Sequence, residues 1–264
     1  MPPRPLPLVG FLSDFGLADT YVGSVKGVLL GLNPALRVVD LTHAVPPQDV
    51  AAGAFALASA CGDFPPGTVF LAVVDPGVGT DRAGIVAATD RHFFVGPDNG
   101  LLALALRRGG ARAIHRLARE DLYRRPVSPT FHGRDVFAPA AAHLTLGTPP
   151  EAFGPPHLHP APPPWPEPEP APGGLRGRVV HVDRFGNLVT NIDLSEGPLP
   201  AAAEVGGRLA PFRRTYADAA PGELLALAGS HGFLEVAARE ASAAAATGAA
   251  RGSEVRARFA PTPA

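Results

Sequence analysis

The sequence has very little cysteine and no excess of either charge. Its 264 residues include one cysteine, Cys61, which excludes an internal disulfide framework and a thiolate metal cluster. The 23 basic residues nearly balance the 24 acidic ones, and the formal net charge is -1. Since nucleic acids and anionic membrane surfaces select basic patches, we expect no nucleic acid and no membrane among the partners.

The chain also lacks a long apolar run in its first residues. Residues 1–16, MPPRPLPLVGFLSDFG, contain a short apolar stretch between prolines, which fits neither a signal peptide nor a membrane span. We therefore expect a cytoplasmic protein. Metal-ligand spacing is lacking too: His157 and His159 flank one leucine, and a metal site needs more ligands than these two.

Proline, in contrast, is abundant and is concentrated in one segment. Residues 153–174, FGPPHLHPAPPPWPEPEPAPGG, can sustain neither a helix nor a strand ladder, so we predict an extended linker there. The length of the chain allows two modest domains. The predicted organisation is a first domain of residues 1–152, the linker of residues 153–174, and a second domain of residues 175–264.

The pattern of apolar residues differs between the two sides of the linker. Before it, short apolar runs alternate with helical stretches. We predict strands at 6–14, 36–42 and 67–75, helices at 21–33, 49–61 and 99–108, and a hairpin-like pair at 83–89 and 92–97. This rhythm indicates an α/β domain with a mostly parallel central sheet flanked by helices. After the linker, alternating residues separated by turns predict a smaller domain that is mainly β.

The turn VVDPGVGTDR, Val73–Arg82, follows a predicted buried strand. Asp75 ends that strand, and open α/β sheets place their chemistry at the carboxyl ends of parallel strands. An aspartate in a turn can equally bond its own backbone. From the turn alone, both interpretations stay open.

Three further polar clusters are ambiguous in the same way. Asp14 in SDFGLADTY could face a ligand or cap the following helix. His132 in FHGRD could act in catalysis or be a surface histidine. The last cluster, in VDRFGN and GSHGFLE, could bind a ligand or merely shape hairpin turns; its members are Asp183, Phe185, Asn187, Ser230 and Glu235.

Taken together, the clusters resemble one family. The blocks FLSDFG, VDPGVG, GPDNGLL, FHGRDVFAP, DRFGNLVTNI and SHGFLEVA, in this order, resemble the S-adenosyl-L-methionine hydrolases. These enzymes are also called S-adenosyl-L-methionine hydroxide adenosyltransferases and are related to fluorinase and chlorinase. The resemblance implies that the second domain is β-barrel-like. It also implies a homotrimer whose active sites lie between the first domain of one subunit and the second domain of its neighbour.

The resemblance also implies a reaction and its residues. S-adenosyl-L-methionine and water would give adenosine and L-methionine by displacement at the ribose C5′ carbon. Asp75, Arg82 and His132 match the residues that activate the water. Substrate contacts are implied for Asp14 with ribose, Phe185 and Asn187 with adenine, Asp183 and Ser230 with methionine, and Glu235 and the Ala238 backbone with adenosine.

These residue types suit the chemistry. Water is a poor nucleophile at neutral pH, so an arginine that stabilises developing negative charge and a histidine that accepts a proton would both assist it. The sulfonium leaves as a neutral thioether, so we expect neither a metal nor another cofactor.

Two alternatives stay open. A nucleophilic halogenase would use tyrosine and threonine where this chain has Asp75 and Val78, and serine where it has Gly133, so the hydroxide branch fits better. A non-enzymatic adenosine or S-adenosylmethionine sensor would need Asp14, Asn187 and Ser230 but no water-activating group. The segment Ala238–Ser242, AREAS, departs from the family's usual Asn-x-Gly.

Overall fold

The computed structural model describes residues 5–260, which divide into two compact units between Pro164 and Trp165. Within this described part, no helix has the length and apolar character needed to cross a membrane.

The first unit is an α/β fold with six strands and four helices. Its strands are β1 (Leu8–Ser13), β2 (Arg37–Thr42), β3 (Val69–Val73), β4 (Gly84–Ala88), β5 (Phe93–Pro97) and β6 (Ala113–Arg116). Its helices are α1 (Tyr21–Leu32), α2 (Val50–Ala60), α3 (Ala103–Gly109) and α4 (Ala138–Thr145). Every strand and helix predicted before residue 109 is present.

The six strands form one sheet in the order β2-β1-β3-β5-β4-β6. The pairs β2-β1, β1-β3 and β3-β5 are parallel, whereas β4 runs antiparallel to both of its neighbours. This confirms the mostly parallel sheet and the hairpin of β4 with β5. The turn of that hairpin, Thr89–His92, lies at the opposite edge of the sheet from the end of β3.

Helices cover the sheet because its central strands are apolar on both faces. All five residues of β3 are buried. On one face, Val9 and Phe11 pack in a core with α1 and α4. Successive strand residues point to opposite faces, and Leu12 accordingly lies beside α2, where Gly53 leaves room for it and for Leu101.

The second unit is a nearly closed antiparallel barrel-like sheet. Its strands are β7 (Glu169–Ala171), β8 (Gly174–Val182), β9 (Leu188–Asp193), β10 (Ala202–Val205), β11 (Arg208–Pro211), β12 (Leu224–Ala228), β13 (Phe233–Ala238) and β14 (Glu254–Arg258), with the short helix α5 (Ala243–Thr247). The order is β11-β10-β14-β8-β9-β13-β12, with β7 added to β8. A bridge between Phe212 and Ala226 joins the two ends of this order, because Phe212 follows β11 and Ala226 lies in β12.

The proline-rich segment is anchored at its first half. His157 Nε2 lies 2.6 Å from Asp98 Oδ2, and the Ala161 backbone N donates to Asp98 Oδ1 at 2.8 Å. The segment ends in β7, which pairs with β8. The prediction that this stretch sustains no strand ladder is therefore wrong at β7, where the backbone pairs with β8, and the Asp98 anchor was not predicted.

Candidate functional site

The sheet places two aspartates at one edge. Ser13 at the end of β1 is in register with Val73 at the end of β3, and the two strands are parallel neighbours. Asp14 and Asp75 follow these positions at the carboxyl edge of the sheet, where α/β folds bind ligands. The first unit thus presents both carboxylates at the edge that suits a binding site.

Asp75, Arg82 and His132 form one connected group. Arg82 donates from Nε to Asp75 Oδ1 at 2.8 Å and from Nη2 to Asp75 Oδ2 at 2.5 Å. Its Nη2 also lies 2.9 Å from His132 Nδ1. The Asp75 and Arg82 side chains are only 6% and 12% exposed, and the Arg82 guanidinium lies over the Phe137 ring at 5.0 Å. A buried, two-bonded arginine–carboxylate contact of this kind fixes both side chains.

The contact with Arg82 defines the protonation of His132. A guanidinium only donates hydrogen bonds, so Nδ1 of His132 must accept, and a neutral ring then carries its proton on Nε2. Burial and then the charge of Arg82 lower the pKa of His132, while Asp75 and Asp135 oppose them. The site therefore favours neutral His132.

A glycine turn brings the His132 loop against the Asp75 turn. Val78 N donates to Asp75 O, and Gly79 has a φ of +79°. A Cβ on Gly79 would lie 2.6 Å from the carbonyl oxygen of Pro129, in the segment that leads to His132. Glycine at position 79 thus permits both the left-handed backbone and the close approach of the two segments.

Asp135 organises the other side of the same loop. This fully buried carboxylate accepts from Arg134 Nε at 2.7 Å, Arg124 Nη1 at 3.0 Å and Ser128 N at 2.9 Å. Burial alone would raise its pKa, but these partners hold the pKa below its ordinary value. Residues Gly133–Phe137 form a π-helical turn directly before α4, a feature frequent at functional sites.

Asp14 is not a helix cap. Helix α1 begins after Thr20, and Asp14 Oδ2 instead accepts from the Gln48 backbone N at 2.8 Å. Gln48 has a φ of +65°, which is unusual for a residue other than glycine. The helix-cap interpretation of Asp14 is therefore wrong.

A pocket of about 440 Å³ adjoins the catalytic candidates in the first unit. Arg82 and His132 line it together with Arg116, Tyr123 and Arg125. Two acidic side chains, Asp81 and Glu120, also line it, so the pocket carries charges of both signs.

In the second unit, Asp183 and Asn187 shape one tight turn between β8 and β9. Asp183 Oδ1 accepts from the backbone N of Phe185 and of Asn187, each at 2.9 Å, and Oδ2 accepts from Asn187 Nδ2 at 2.9 Å. Asn187 is buried, whereas Phe185 is 75% exposed. The turn thus engages both oxygens of Asp183 and presents an aromatic ring to solvent.

The remaining candidates lie on or beside β13. Glu235 is buried and accepts from the Tyr216 hydroxyl at 2.7 Å; burial raises the pKa of Glu235 and of Tyr216. Ser230 is exposed in the turn between β12 and β13. The Ala238 backbone O accepts from Ala241 N at 3.2 Å.

The divergent segment AREAS lies against the Asp183 turn. Its Ser242 caps α5 by accepting from Ala245 N, and Ala244 N donates to Gly186 O. A Cβ on Gly186, where φ is +83°, would collide with the Ser242 hydroxyl. Ser242 and the helix that it caps therefore contact the turn that carries Phe185.

The structure thus joins Asp75, Arg82 and His132 within the first unit and Asp183 with Asn187 within the second. Sequence reasoning missed Asp135, although the two arginines close to it in the sequence, Arg124 and Arg134, could have indicated a buried carboxylate. Across residues 5–260, no group of three or more histidine, cysteine, aspartate or glutamate side chains is arranged to hold a metal ion.

Several known proteins resemble this chain over most of its length. Relatives named (R)-S-adenosyl-L-methionine hydrolase are 34–47% identical, and the one from Thermus thermophilus is 47% identical over 94% of this chain and 98% of its own. A fluorinase from Actinoplanes is more distant, at 28% identity over 73% of this chain and 74% of its own. A crystal structure of an uncharacterised conserved protein from Thermotoga maritima matches with a TM-score of 0.85 and 37% identity, covering 94% of this chain and 99% of that one.

Two family models match consecutive parts of the sequence. The N-terminal domain of S-adenosyl-L-methionine hydroxide adenosyltransferase matches residues 9–154, and its C-terminal domain matches residues 177–256. The chain therefore belongs to the S-adenosyl-L-methionine hydroxide adenosyltransferase family.

Proposed function

We propose that this chain hydrolyses S-adenosyl-L-methionine to adenosine and L-methionine. The observation that carries the proposal is the connected group of Asp75, Arg82 and His132, in a member of a family whose curated relatives are named hydrolases of this substrate. A water molecule held by this group attacks the ribose C5′ carbon. The C5′–S bond breaks, and both its electrons leave with the methionine sulfur.

Each member of the group has a distinct part in this step. Asp75 uses the remaining lone pairs of its oxygens to orient the water, since Arg82 occupies only one direction at each. Arg82 stabilises the negative charge that develops on the attacking oxygen. His132 accepts the proton of the water, which requires the water to replace Arg82 at Nδ1, because that nitrogen is the only acceptor on the neutral ring.

The substrate makes the step easier than most hydrolyses. Attack by an oxygen with hydroxide character on a sulfonium neutralises charge in the transition state, so a poorly hydrated site accelerates it. The low exposure of Asp75 and Arg82 fits such a site. The leaving group is a neutral thioether, so the reaction requires neither a metal nor another cofactor.

Substrate binding completes the proposal. Asp14 contacts the ribose, and Phe185 and Asn187 contact the adenine. Asp183 and Ser230 hold the methionine end, while Glu235 and the Ala238 backbone contact adenosine. The chain assembles as a homotrimer. The second unit of one subunit supplies all of these contacts except that of Asp14 to the first unit of its neighbour.

Halogenation is the competing activity, because fluorinases are among the relatives. A serine in place of Gly133 is a halide-pocket feature, yet a Cβ at Gly133 would already lie 3.2 Å from both Phe15 Cζ and Val73 Cγ1. Asp75 offers only hydrogen-bond acceptors, which can hold a water molecule through its hydrogens but cannot bond to a halide. Both observations favour water over a halide as the nucleophile.

The test is incubation of the purified protein with S-adenosyl-L-methionine, alone or with fluoride, chloride or a chelator, followed by chromatography. We expect equal amounts of adenosine and methionine, unchanged by the halides or by the chelator. A 5′-halo-5′-deoxyadenosine product would establish the halogenase instead. Binding without turnover would support the sensor, and loss of activity in chelator that a divalent ion restores would contradict the metal-free reaction.

A further inference from the structure

Four polar side chains connect α1 with the end of β1, beside Asp14. Lys26 Nζ donates to Asp40 Oδ2 at 2.7 Å. His43 Nε2 lies 3.1 Å from Asp40 Oδ1, a close electrostatic contact although its N–H is not well aligned for a hydrogen bond. His43 Nδ1 lies 2.7 Å from Ser13 Oγ. We call Lys26, Asp40, His43 and Ser13 the polar network.

Two donors of the polar network lie at Asp40: Lys26 Nζ bonds to one carboxylate oxygen, and His43 Nε2 lies close to the other. An ionised carboxylate only accepts, so Nε2 of a neutral His43 ring carries the hydrogen and Nδ1 accepts from the Ser13 hydroxyl. The Ser13 oxygen then keeps its lone pairs for the Phe15 backbone N–H, which lies 3.3 Å away. The orientation of Ser13 is thus coupled through His43 to Asp40 and Lys26.

The network is rigid at one end and accessible at the other. Ser13 and His43 are buried, and the His43 ring packs edge-on against Phe11 at 4.6 Å. Lys26 and Asp40 have side chains that are 32% and 38% exposed. Substitutions at the exposed end can therefore alter the network at little cost to the core.

The buried end ties down the backbone on both sides of the Asp14 carboxylate. Phe15 N bonds to Ser13 Oγ, and Gly16 N donates to the carbonyl oxygen of His43 at 2.8 Å. Asp14 itself accepts from Gln48 N through Oδ2. Of these three bonds, the one from Phe15 N is accepted by a side chain of the polar network, and the one from Gly16 N is accepted by the backbone of a network residue, His43.

We infer that the polar network positions the Asp14 carboxylate toward the ribose hydroxyls of the nucleoside. Lys26, Asp40, His43 and Ser13 are then positioning residues, since none of them touches the reacting atoms. The inference rests on the proposed function, which assigns the ribose contact to Asp14. The polar network sets this contact from α1 and β2, outside the motif that contains Asp14.

The experiment compares adenosine with 2′,3′-dideoxyadenosine, which lacks the 2′ and 3′ hydroxyls of the ribose, by calorimetric binding to the full-length protein. Asp40→Asn and Lys26→Met should each weaken adenosine binding about 3- to 10-fold, the range for one misplaced hydrogen bond, and change dideoxyadenosine binding by less than about 2-fold. In hydrolysis, the same variants should raise KM for S-adenosyl-L-methionine and leave kcat nearly unchanged.

Asp90→Asn is the matched control. Asp90 also forms an ion pair with a basic side chain, Arg112, but it lies in the turn before β5, at the sheet edge opposite Asp14. This variant should bind both nucleosides as the unaltered protein does. Ser13→Ala combined with Asp40→Asn should cost little more than the worse single change, because both act on one network.

The outcomes separate the inference from the proposed function. A selective loss of adenosine affinity supports the inference. Equal losses of affinity for both nucleosides would show a merely structural role, and unchanged affinities would show no role. Either result overturns the inference, while continued hydrolysis by the unaltered protein leaves the proposed function intact. If the unaltered protein neither binds adenosine nor hydrolyses S-adenosyl-L-methionine, the proposed function fails and the inference fails with it.

Discussion

At the scale of single residues, the Arg82 guanidinium connects an acid and a histidine that are 57 positions apart in the sequence. It spans Asp75 with two hydrogen bonds and reaches His132 with the same Nη2 atom that contacts Asp75 Oδ2. Removing any one of the three side chains therefore disturbs the other two.

Asp75→Ala, Arg82→Ala and His132→Ala should each lower kcat by roughly 10²-fold or more, the range for general acid–base and electrostatic groups. Since all three act on one water, the triple variant should be little slower than the slowest single variant. Single-turnover rates of the four proteins measure this directly. Effects that multiply across the three positions would mean that the side chains act independently.

The protonation of His132 predicts the pH dependence. Only the neutral ring can accept a hydrogen bond or a proton, and burial lowers the pKa of His132 from its ordinary value near 6.5. A lowered pKa keeps the ring neutral as the pH falls, so the acid limb of kcat/KM, which reports the free enzyme, should have its midpoint below pH 6.5. A pH profile with an acid limb centred above 6.5, or the same limb in His132→Asn, would contradict this role.

At the scale of elements, the turn after β3 and the loop before α4 must approach closely to form the site. Gly79 permits that approach, because a Cβ there would lie 2.6 Å from Pro129 O. Gly147, just after α4, also has a positive φ, +97°, but a Cβ there would meet no atom within 4 Å. Substitutions at the two glycines therefore distinguish the effect of backbone strain from the effect of the contact between the two segments.

Gly79→Ala should therefore lower kcat at least about 10-fold, because the Pro129 segment must move away and takes His132 with it. Gly147→Ala should lower stability by about 1–2 kcal/mol through backbone strain alone and leave kcat unchanged. Thermal unfolding and steady-state kinetics of both variants test the difference. Equal activity of the two variants would show that the close approach is unimportant for catalysis.

The regular elements of the first unit were predictable from periodicity, because their core is built from uninterrupted or evenly spaced apolar residues. Strand β3 is buried throughout, and Val22, Val25 and Leu29 recur at helical spacing in α1. Strand β6, Ala113–Arg116, was missed because it is short and none of its residues is fully buried. The π-helical turn Gly133–Phe137 was missed because it depends on the contacts of Asp135, which are tertiary.

The site was predictable only in part for a similar reason. Strand ends indicated Asp14 and Asp75, since a carboxylate after a buried strand is visible in the sequence. The link between Arg82 and His132 joins segments 50 residues apart, and no local pattern encodes it; the family resemblance supplied that pairing. Neither the strand ends nor the family resemblance indicated the polar network, because Lys26, Asp40 and His43 lie outside the motifs that carry the resemblance.

At the scale of the whole molecule, the proposed site residues belong to two compact units. The water-activating residues belong to the first unit, and Phe185, Asn187 and Ser230 belong to the second. The proposed homotrimer would combine units from neighbouring subunits. Its mass in solution should then be three times the 27.2 kDa of one chain.

Mixing two inactive variants tests whether neighbours share a site. One variant is Asp75→Ala, and the other replaces Phe185, Asn187 and Ser230 by alanine. After dissociation and random reassembly at equal amounts, about a quarter of the sites should combine an intact first unit with an intact second unit from its neighbour. No recovered hydrolysis in verified mixed trimers would mean that each site is built from one chain.

The central claim is that a water molecule held by Asp75, Arg82 and His132 attacks the C5′ carbon of S-adenosyl-L-methionine. Hydrolysis in water enriched in oxygen-18, with mass spectrometry of both products, tests it most directly. The account predicts that the label enters adenosine at the 5′-hydroxyl, one oxygen per molecule, and that none enters methionine. The yield of labelled adenosine should fall in the Asp75→Ala, Arg82→Ala and His132→Ala variants. Adenosine formed without the label, or labelled adenosine formed at an unchanged rate by all three variants, would contradict it.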